Sequence, residues 1–398
     1  MNRNLAVTAL SALFVITAFT LVHAARSLRA QGGEALQVGF IYDGDESVPY
    51  TANFMRAQHA VEAQFGSRAA IHVRSNVPSS RIEESLQELA DDGCRIIFTT
   101  SFGFGEGTKR FAALHPHIQF CQATCDNAAN PPLANYHTFM GEIYQGRYVA
   151  GIAAGMKLRE LVQKGAISAD AAVIGYVGAF PYAEVISGYT AFLLGARSVL
   201  PTATMRVRYT NTWGSYSIEK AFAQTLIDEG CVIIAQHSDT IGPAVACEEQ
   251  FAKKTVFHVG YNQSMIDVAP MTSLVSTRIN WVPYVTGAVQ AVLDGRAIEK
   301  TVRGNVHGND IGAGFERDWV QLLELNTTIA AAGTAERLGT AVQAFKKSRV
   351  PVFVGDYRGV NPADSTDTCD LRTEYKENAD ASAPSFHYLL QDVITIEE

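Results

Sequence analysis

Asp92-Gly93-Cys94-Arg95-Ile96-Ile97-Phe98 returns later in the chain as Glu229-Gly230-Cys231-Val232-Ile233-Ile234-Ala235: an acid, a glycine, a cysteine, then an apolar run. Val38-Gly39-Phe40-Ile41-Tyr42 is echoed in the same way by Ile174-Gly175-Tyr176-Val177-Gly178. The first pair is separated by 137 positions and the second by 136. Two motifs repeated at one offset imply two similar units, and the offset is too long for a solenoid repeat. Each motif contains a short continuous apolar run, as expected of a strand covered on both faces.

Outward from these strands the pattern alternates. Residues 38–42 lead to a helix through 54–65, which Gly66 stops. A strand at 70–74 follows, then a helix at 81–91 with Ser80 as N-cap and Glu83 and Glu84 in its first turn. Residues 95–100 are the next strand, 105–114 a helix ended by His115-Pro116, and 118–123 another strand. The order repeats from Ile174 to about Gly260. The predicted fold class is α/β, with two doubly wound parallel-sheet lobes joined by a hinge. The division expected is 34–138 plus 276–300 for lobe 1 and 139–275 plus 301–315 for lobe 2. Residues 316–398 form a C-terminal extension that wraps the lobes. There, 315–325 and 335–347 read as helices and 350–356 as a strand. Residues 361–383 are polar and rich in Asp, and 386–396 are apolar.

Composition excludes several classes. With 47% hydrophobic and 18% charged residues, the chain is neither disordered nor fibrous. The net charge of -8, without a basic run, argues against nucleic acid as partner. At the N-terminus Arg3 precedes an apolar stretch from Leu5 to Val22, and Val22-His23-Ala24 offers a cleavage pattern. Residues 1–25 therefore read as a secretory signal peptide, or else as an uncleaved N-terminal anchor. Either way the rest is exported, to the periplasm or the outer face of the cytoplasmic membrane.

The six cysteines form no disulfide framework. Cys94 and Cys231 read as buried strand-entry residues, while Cys121 and Cys125 are close enough to bridge or to sit as a thiol pair. No second ligand pair follows at zinc-like spacing, Asp364, Asp367 and Asp370 lack EF-hand spacing, and no metal or cofactor is expected. The glycines from Gly304 to Gly314 are not followed by Lys-Ser/Thr, so they are no phosphate loop, and no Gly-x-Ser-x-Gly elbow occurs. No nucleophile–base–acid set emerges, so the reading is not an enzyme.

Parallel sheets bind ligands beyond the carboxyl ends of their strands. Two facing lobes put those ends around one cleft. The residues there are Asp43 and Tyr50, Phe102 and Phe104, Phe180, Trp213, Asp239, Asn262 and, in a crossing segment, Trp281. Rings hold planar heterocycles by stacking, while carboxylates and amides hold their edges. His237 reads as a hinge or packing histidine.

At these same positions the sequence resembles the basic membrane protein (BMP) family, substrate-binding lipoproteins of ABC importers that include purine-nucleoside receptors. The matching stretches include Ile96–Phe104, Tyr144–Gly151, Ile174–Glu184, Phe192–Pro201, Asn211-Thr212-Trp213, Ala235–Asp239, His258–Met265 and Asn280–Tyr284. The resemblance runs from about Val38 to Gly295. It implies a type I periplasmic-binding-protein fold that closes on a purine base or nucleoside and then docks on an ABC permease. Three features depart from the pattern. The first cysteine is Cys94, so the usual lipid attachment is missing. Asp45–Tyr50 replaces a Gly-Asp-x-Gly-Trp run, with Tyr50 as the substitute ring, and Asn262 stands where an Asp is expected. A second reading is a membrane-associated ligand sensor of the same fold. A third is a nucleoside-processing enzyme on the same scaffold.

Overall fold

The computed structural model describes residues 34–397, so the signal or anchor reading of residues 1–25 lies outside the described residues. The strands, in chain order, are β1 (Leu36–Ile41), β2 (Ala69–Arg74), β3 (Ile96–Thr99), β4 (Gln119–Ala123) and β5 (Tyr136–Gly141). They continue with β6 (Val173–Gly178), β7 (Thr204–Tyr209), β8 (Ile233–His237), β9 (Phe257–Tyr261) and β10 (Ser273–Ile279). The later strands are β11 (Asn305–His307), β12 (Asp310–Ala313), β13 (Val320–Leu322), β14 (Arg358–Asn361), β15 (Asp364–Asp370), β16 (Leu389–Leu390) and β17 (Ile394–Ile396).

Two seven-stranded sheets carry the lobes, in the orders β11-β12-β5-β4-β3-β1-β2 and β13-β10-β9-β8-β6-β7-β17. In both, the first strand of the repeat pairs in parallel with the strands after it, Val38 opposite Ile96 in one and Ile174 opposite Ile233 in the other. The repeated motifs therefore occupy equivalent places, β1 with β6 and β3 with β8. Their apolar runs are fully buried because helices cover both faces.

The helices that matter for the site are α1 (Pro49–Phe65), α2 (Ile82–Asp91), α3 (Gly105–Leu114), α4 (Ile143–Gln163) and α5 (Ala183–Arg197). To these are added α6 (Tyr216–Asp228), α7 (Gly242–Gln250) and α8 (Val282–Asp294). Pro49 opens α1, where its missing N–H costs nothing. The helix therefore starts earlier than the expected residue 54. Ser80 does not cap α2: residues Ser79–Arg81 form a 3-10 turn, Arg81 takes the cap position, and no side chain caps it. The longest apolar interface joins α4 to α5. A Cβ on Gly151 would lie 2.0 Å from the Phe192 carbonyl oxygen, and one on Gly195 2.0 Å from that of Tyr148. Only glycine lets these backbones approach so closely.

The chain crosses between lobes three times, after β5, after β10 and after β12, and the crossings lie side by side. Glu142 N–H donates to Ala313 O, and Asn280 N–H donates to Trp319 O. Strand pairing corrects the expected division at two points. Residues 305–313 complete the edge of the first sheet, with Asp310 opposite Thr138, not the second. Strand β10, from Ser273 to Ile279, belongs wholly to the second sheet, and only α8 returns to pack on α1. Backbone hydrogen bonds along β5 supply the edge that β12 needs, a long-range pairing that local patterning does not encode.

The C-terminal region holds a second correction. Residues 315–325 are not helical; a 3-10 turn at Phe315–Arg317 leads into β13, antiparallel to β10. The helix expected at 335–347 is present as Thr334–Lys347. The strand expected at 350–356 is reduced to a single bridge between Phe353 and Tyr375. The polar stretch folds as a three-stranded sheet, β15-β14-β16, and β17 adds in parallel to β7. Beyond these strands the extension grips both lobes through buried carboxylates. Ser382 donates through N and Oγ to Asp310 of β12, and Ser187 of α5 donates to Glu377 at 2.6 Å. Among the described residues no helix is long and apolar enough to cross a membrane.

Candidate functional site

The carboxyl ends of both sheets converge on a narrow cavity between the lobes. Asp43, Tyr50, Ser101, Phe102 and Thr124 line it from the first lobe, and Glu184, Trp213, His237, Asp239 and Tyr261 from the second. Each follows from strand geometry. Asp43 lies two residues past β1, Ser101 and Phe102 follow β3, and Thr124 follows β4. On the other side Glu184 opens α5, His237 and Tyr261 end β8 and β9, and Asp239 lies two residues past β8.

The backbone at several of these strand ends is left-handed. Thr124 (φ 62°), Asn211 (φ 54°) and Asn262 (φ 66°) take a conformation unusual for residues other than glycine, and for the β-branched Thr124 it is a strained one. Such turns redirect the chain sharply after a strand, so that side chains face the opposite lobe.

Hydrogen bonds fix the polar groups. Tyr50 donates from its hydroxyl to Thr100 O at 2.5 Å, which pins the α1 ring across the β3 loop. Ser238 Oγ and Thr240 N donate to the buried Glu219 carboxylate, and Asp239 N donates to Trp213 O. Together they lock the loop that presents Asp239. Asn262 Nδ2 donates to Asp239 Oδ1 at 3.3 Å. His237 Nε2 lies 3.3 Å from Glu184 Oε1.

Charge is concentrated in carboxylates. Burial, then the nearby Asp43, Glu219 and Glu184, push Asp239 well above the usual carboxylate range, with Arg147 opposing. Burial also raises Asp43, against a hydrogen bond from Ser101. Burial and the Arg147 guanidinium bring His237 down to about 4, so its imidazole is neutral at pH 7. Arg147 itself lies behind the wall. Its Cζ sits 3.8 Å from the centre of the Tyr261 ring, and Nη1 donates to Gln236 O.

Rings seal the rim. Phe102 of the first lobe meets Tyr182 of the second at 5.4 Å between centroids, Tyr182 stacks on Phe180 at 4.9 Å, and Phe180 meets Trp213 edge-on at 5.4 Å. Contact across the cleft means that the lobes are closed.

Of the nine residues expected from sequence, Asp43, Tyr50, Phe102, Trp213 and Asp239 line the cavity. Asn262 stands behind Asp239. Phe180 lies one ring away, backing Tyr182 and Trp213. Phe104 is not a cavity residue: it is wholly buried in the first lobe's core with Ile82 and Phe111, because the turn Phe102–Phe104 sends the two rings opposite ways. Trp281 is also core, stacked on Phe54 at 4.2 Å and edge-on to Phe139. His237 lines the cavity besides packing in the lobe. Sequence reasoning did not select Ser101, Thr124, Glu184 and Tyr261. Ser101 and Tyr261 carry the same strand-end signal as those selected, whereas Thr124 and Glu184 become visible only once the loops are placed. Cys121 and Cys125 are both free and buried; Cys125 Sγ donates to Phe102 O at 3.4 Å.

Comparison with known proteins gives consistent results. Among solved structures, a solute-binding protein of an ABC transporter system from Aeropyrum pernix K1 superposes with a TM-score of 0.63 at 14% identity, covering 78% of this chain and 86% of that one. A solute-binding protein from Conexibacter woesei gives 0.60 at 16% identity, covering 80% and 99%. These establish the type I periplasmic-binding-protein fold. A purine-binding protein of Brucella abortus is 32% identical over 268 residues, 67% of this chain and 71% of that protein. A putative ABC transporter glucose-binding protein of Haloferax volcanii is 29% identical over 264 residues, which is 66% of this chain and 62% of the relative. The profile described as "Bmp: ABC transporter substrate-binding protein PnrA-like" matches residues 36–340, spanning the first sheet, the second apart from β17, and every cavity residue. The chain thus belongs to the Bmp family of PnrA-like ABC transporter substrate-binding proteins.

Proposed function

We propose that this protein captures a purine base or nucleoside outside the cytoplasm and presents it to an ABC permease. The observation that carries the reading is the closed cavity in which rings and carboxylates from both lobes meet. Phe102, Tyr50, Trp213 and Tyr261 offer faces for stacking, and Asp43 and Asp239 offer acceptors for the ligand's N–H and O–H groups. Asn262 assists through Asp239. Closing the lobes expels water and strengthens those polar contacts. Binding stabilises the closed form, and the closed form is what a permease recognises. The Brucella relative, named as purine-binding, supports the choice of ligand.

A thermal-shift screen of residues 26–398 against bases, nucleosides, sugars and amino acids tests this reading. A ligand specific to the folded form raises Tm with concentration. Purines should shift it and be recovered intact. A shift with glucose and none with any purine would replace the ligand and keep the transport role; conversion of a nucleoside would instead favour an enzyme.

A further inference from the structure

Beside the hydroxyls of Ser101, Thr124 and Tyr261 and the Trp213 indole N–H, the cavity gathers three carboxyl groups. Asp43, Glu184 and Asp239 enter it from both lobes, while no Lys or Arg lines it among the described residues. The guanidinium of Arg147 does not line the cavity and sits over the Tyr261 ring. Its Nε and Nη2 have no hydrogen-bond partner, and its charge partly offsets the burial that raises Asp239. His237, being neutral, adds no charge. It donates from Nε2 to Glu184 Oε1, which holds this cavity-lining carboxylate as an acceptor. The Tyr50 hydroxyl already donates its hydrogen bond to Thr100 O. A second observation points to a ligand at the same place. Thr124 is 7% exposed and lines the cavity, and its Oγ1 has no partner in the protein. A buried hydroxyl without a partner is costly unless a bound molecule satisfies it.

We infer that the ligand presents a donor-rich edge, an amino-substituted neutral or cationic heterocycle, and that the His237-held Glu184 selects it while anionic and phosphorylated analogues are refused. The inference rests on the proposed role of the cavity. Three carboxyl groups in a low-dielectric cleft whose lining holds no Lys or Arg among the described residues offer a phosphate dianion no cationic contact. An N–H group meeting a carboxylate forms a charge-assisted hydrogen bond, stronger than one between neutral partners. Removing that N–H leaves a buried acceptor unpaired, which is how such sites reject the analogue lacking it. The neutral imidazole acts as a positioning residue: it sets the orientation of Glu184 without touching the ligand's charge.

Matched pairs that differ by one amino group test this directly. Calorimetric titration would compare adenosine with purine riboside, guanosine with inosine, and adenosine with adenosine monophosphate. The amino member should bind at least about tenfold tighter in each of the first two pairs, and the monophosphate at least about a hundredfold weaker than its nucleoside. Glu184→Gln, which keeps the shape and removes the charge, should shrink the amino preference to within about threefold. Equal affinity within both pairs, or retention of the full preference in E184Q, would overturn the inference while leaving a purine receptor intact. If no purine binds, the ligand class proposed above fails separately. The same edge is then read with glucosamine against glucose and with glucose 6-phosphate. Tighter binding of the amino sugar and refusal of the phosphate support the acceptor-lined cavity; the reverse order, or silence from every probe, overturns it.

Discussion

Asp239 is the side chain on which most of the cleft's polar order depends. Its backbone is held by Trp213 O and its carboxylate by Asn262, and Asp43 faces it from the other lobe. Asp239→Ala should weaken ligand binding at least tenfold, measured by calorimetry, with little change in the apo Tm. Retained affinity would remove Asp239 from the site. Phe102 and Phe104 provide a sharper pair, since they are two residues apart and chemically identical. Phe102 is 43% exposed and lines the cavity, whereas Phe104 is fully buried. Phe104→Ala should therefore cost about 3–5 kcal/mol of stability. Phe102→Ala should cost affinity and leave denaturant stability nearly unchanged. Sequence placed both rings at the strand end correctly and could not separate them, because the direction of a side chain in a 3-10 turn depends on the turn. Trp281 illustrates the same limit: its position beside a crossing suggested the cleft, but Phe54 and Phe139 claim both sides of the ring.

Elements show where sequence reading succeeded and why. Strands β1, β3, β6 and β8 were legible because a strand covered on both faces must be apolar at every position, and that pattern survives without any knowledge of its neighbours. Strands β11 and β12 were not, since runs so short become strands only through pairing, β12 with β5 and β11 with β12. The α4–α5 contact offers an element-scale test. Gly151→Ala or Gly195→Ala forces a methyl group onto a carbonyl oxygen of the facing helix, so each should destabilise by about 1–3 kcal/mol in urea titration. At the first crossing, Glu142 sits between β5 and α4, with Asn305 and Gln145 donating to its carboxylate. Burial, then Glu316, raises it from 4.5 to about 7, against those two hydrogen bonds. A carboxyl raised in the folded state binds its proton more tightly there than in the unfolded chain. Its contribution is therefore lost as pH rises from about 4.5 to about 7, by up to about 3 kcal/mol. Glu142→Gln should remove that slope and leave the variant the more stable protein above pH 7, as urea titrations at several pH values would show. An unchanged slope would mean that Glu142 is not responsible for it.

The whole molecule combines a hinge with a clasp. Three crossings run side by side, and the C-terminal extension adds separate attachments to each lobe, at Asp310 and at Ser187. The clasp lies mostly past residue 340, where the family match ends, so its role was legible only as composition: a polar run followed by an apolar one. Glu377 accepts from Ser187, Ser385 and Phe386 N. Glu377→Ala should leave these donors unpaired and cost about 1–3 kcal/mol, visible as a lower Tm. A Tm equal to that of the wild type would show that the extension holds by its apolar contacts alone.

The order in which the chain is made has a bearing on that arrangement. Strand β12 reaches back to an edge laid down 172 residues earlier, and β17 closes the rim of the other sheet on β7. Neither lobe can be finished as a separate unit during synthesis. Each sheet waits for strands made late in the chain, so the two lobes reach their finished form together and not one after the other.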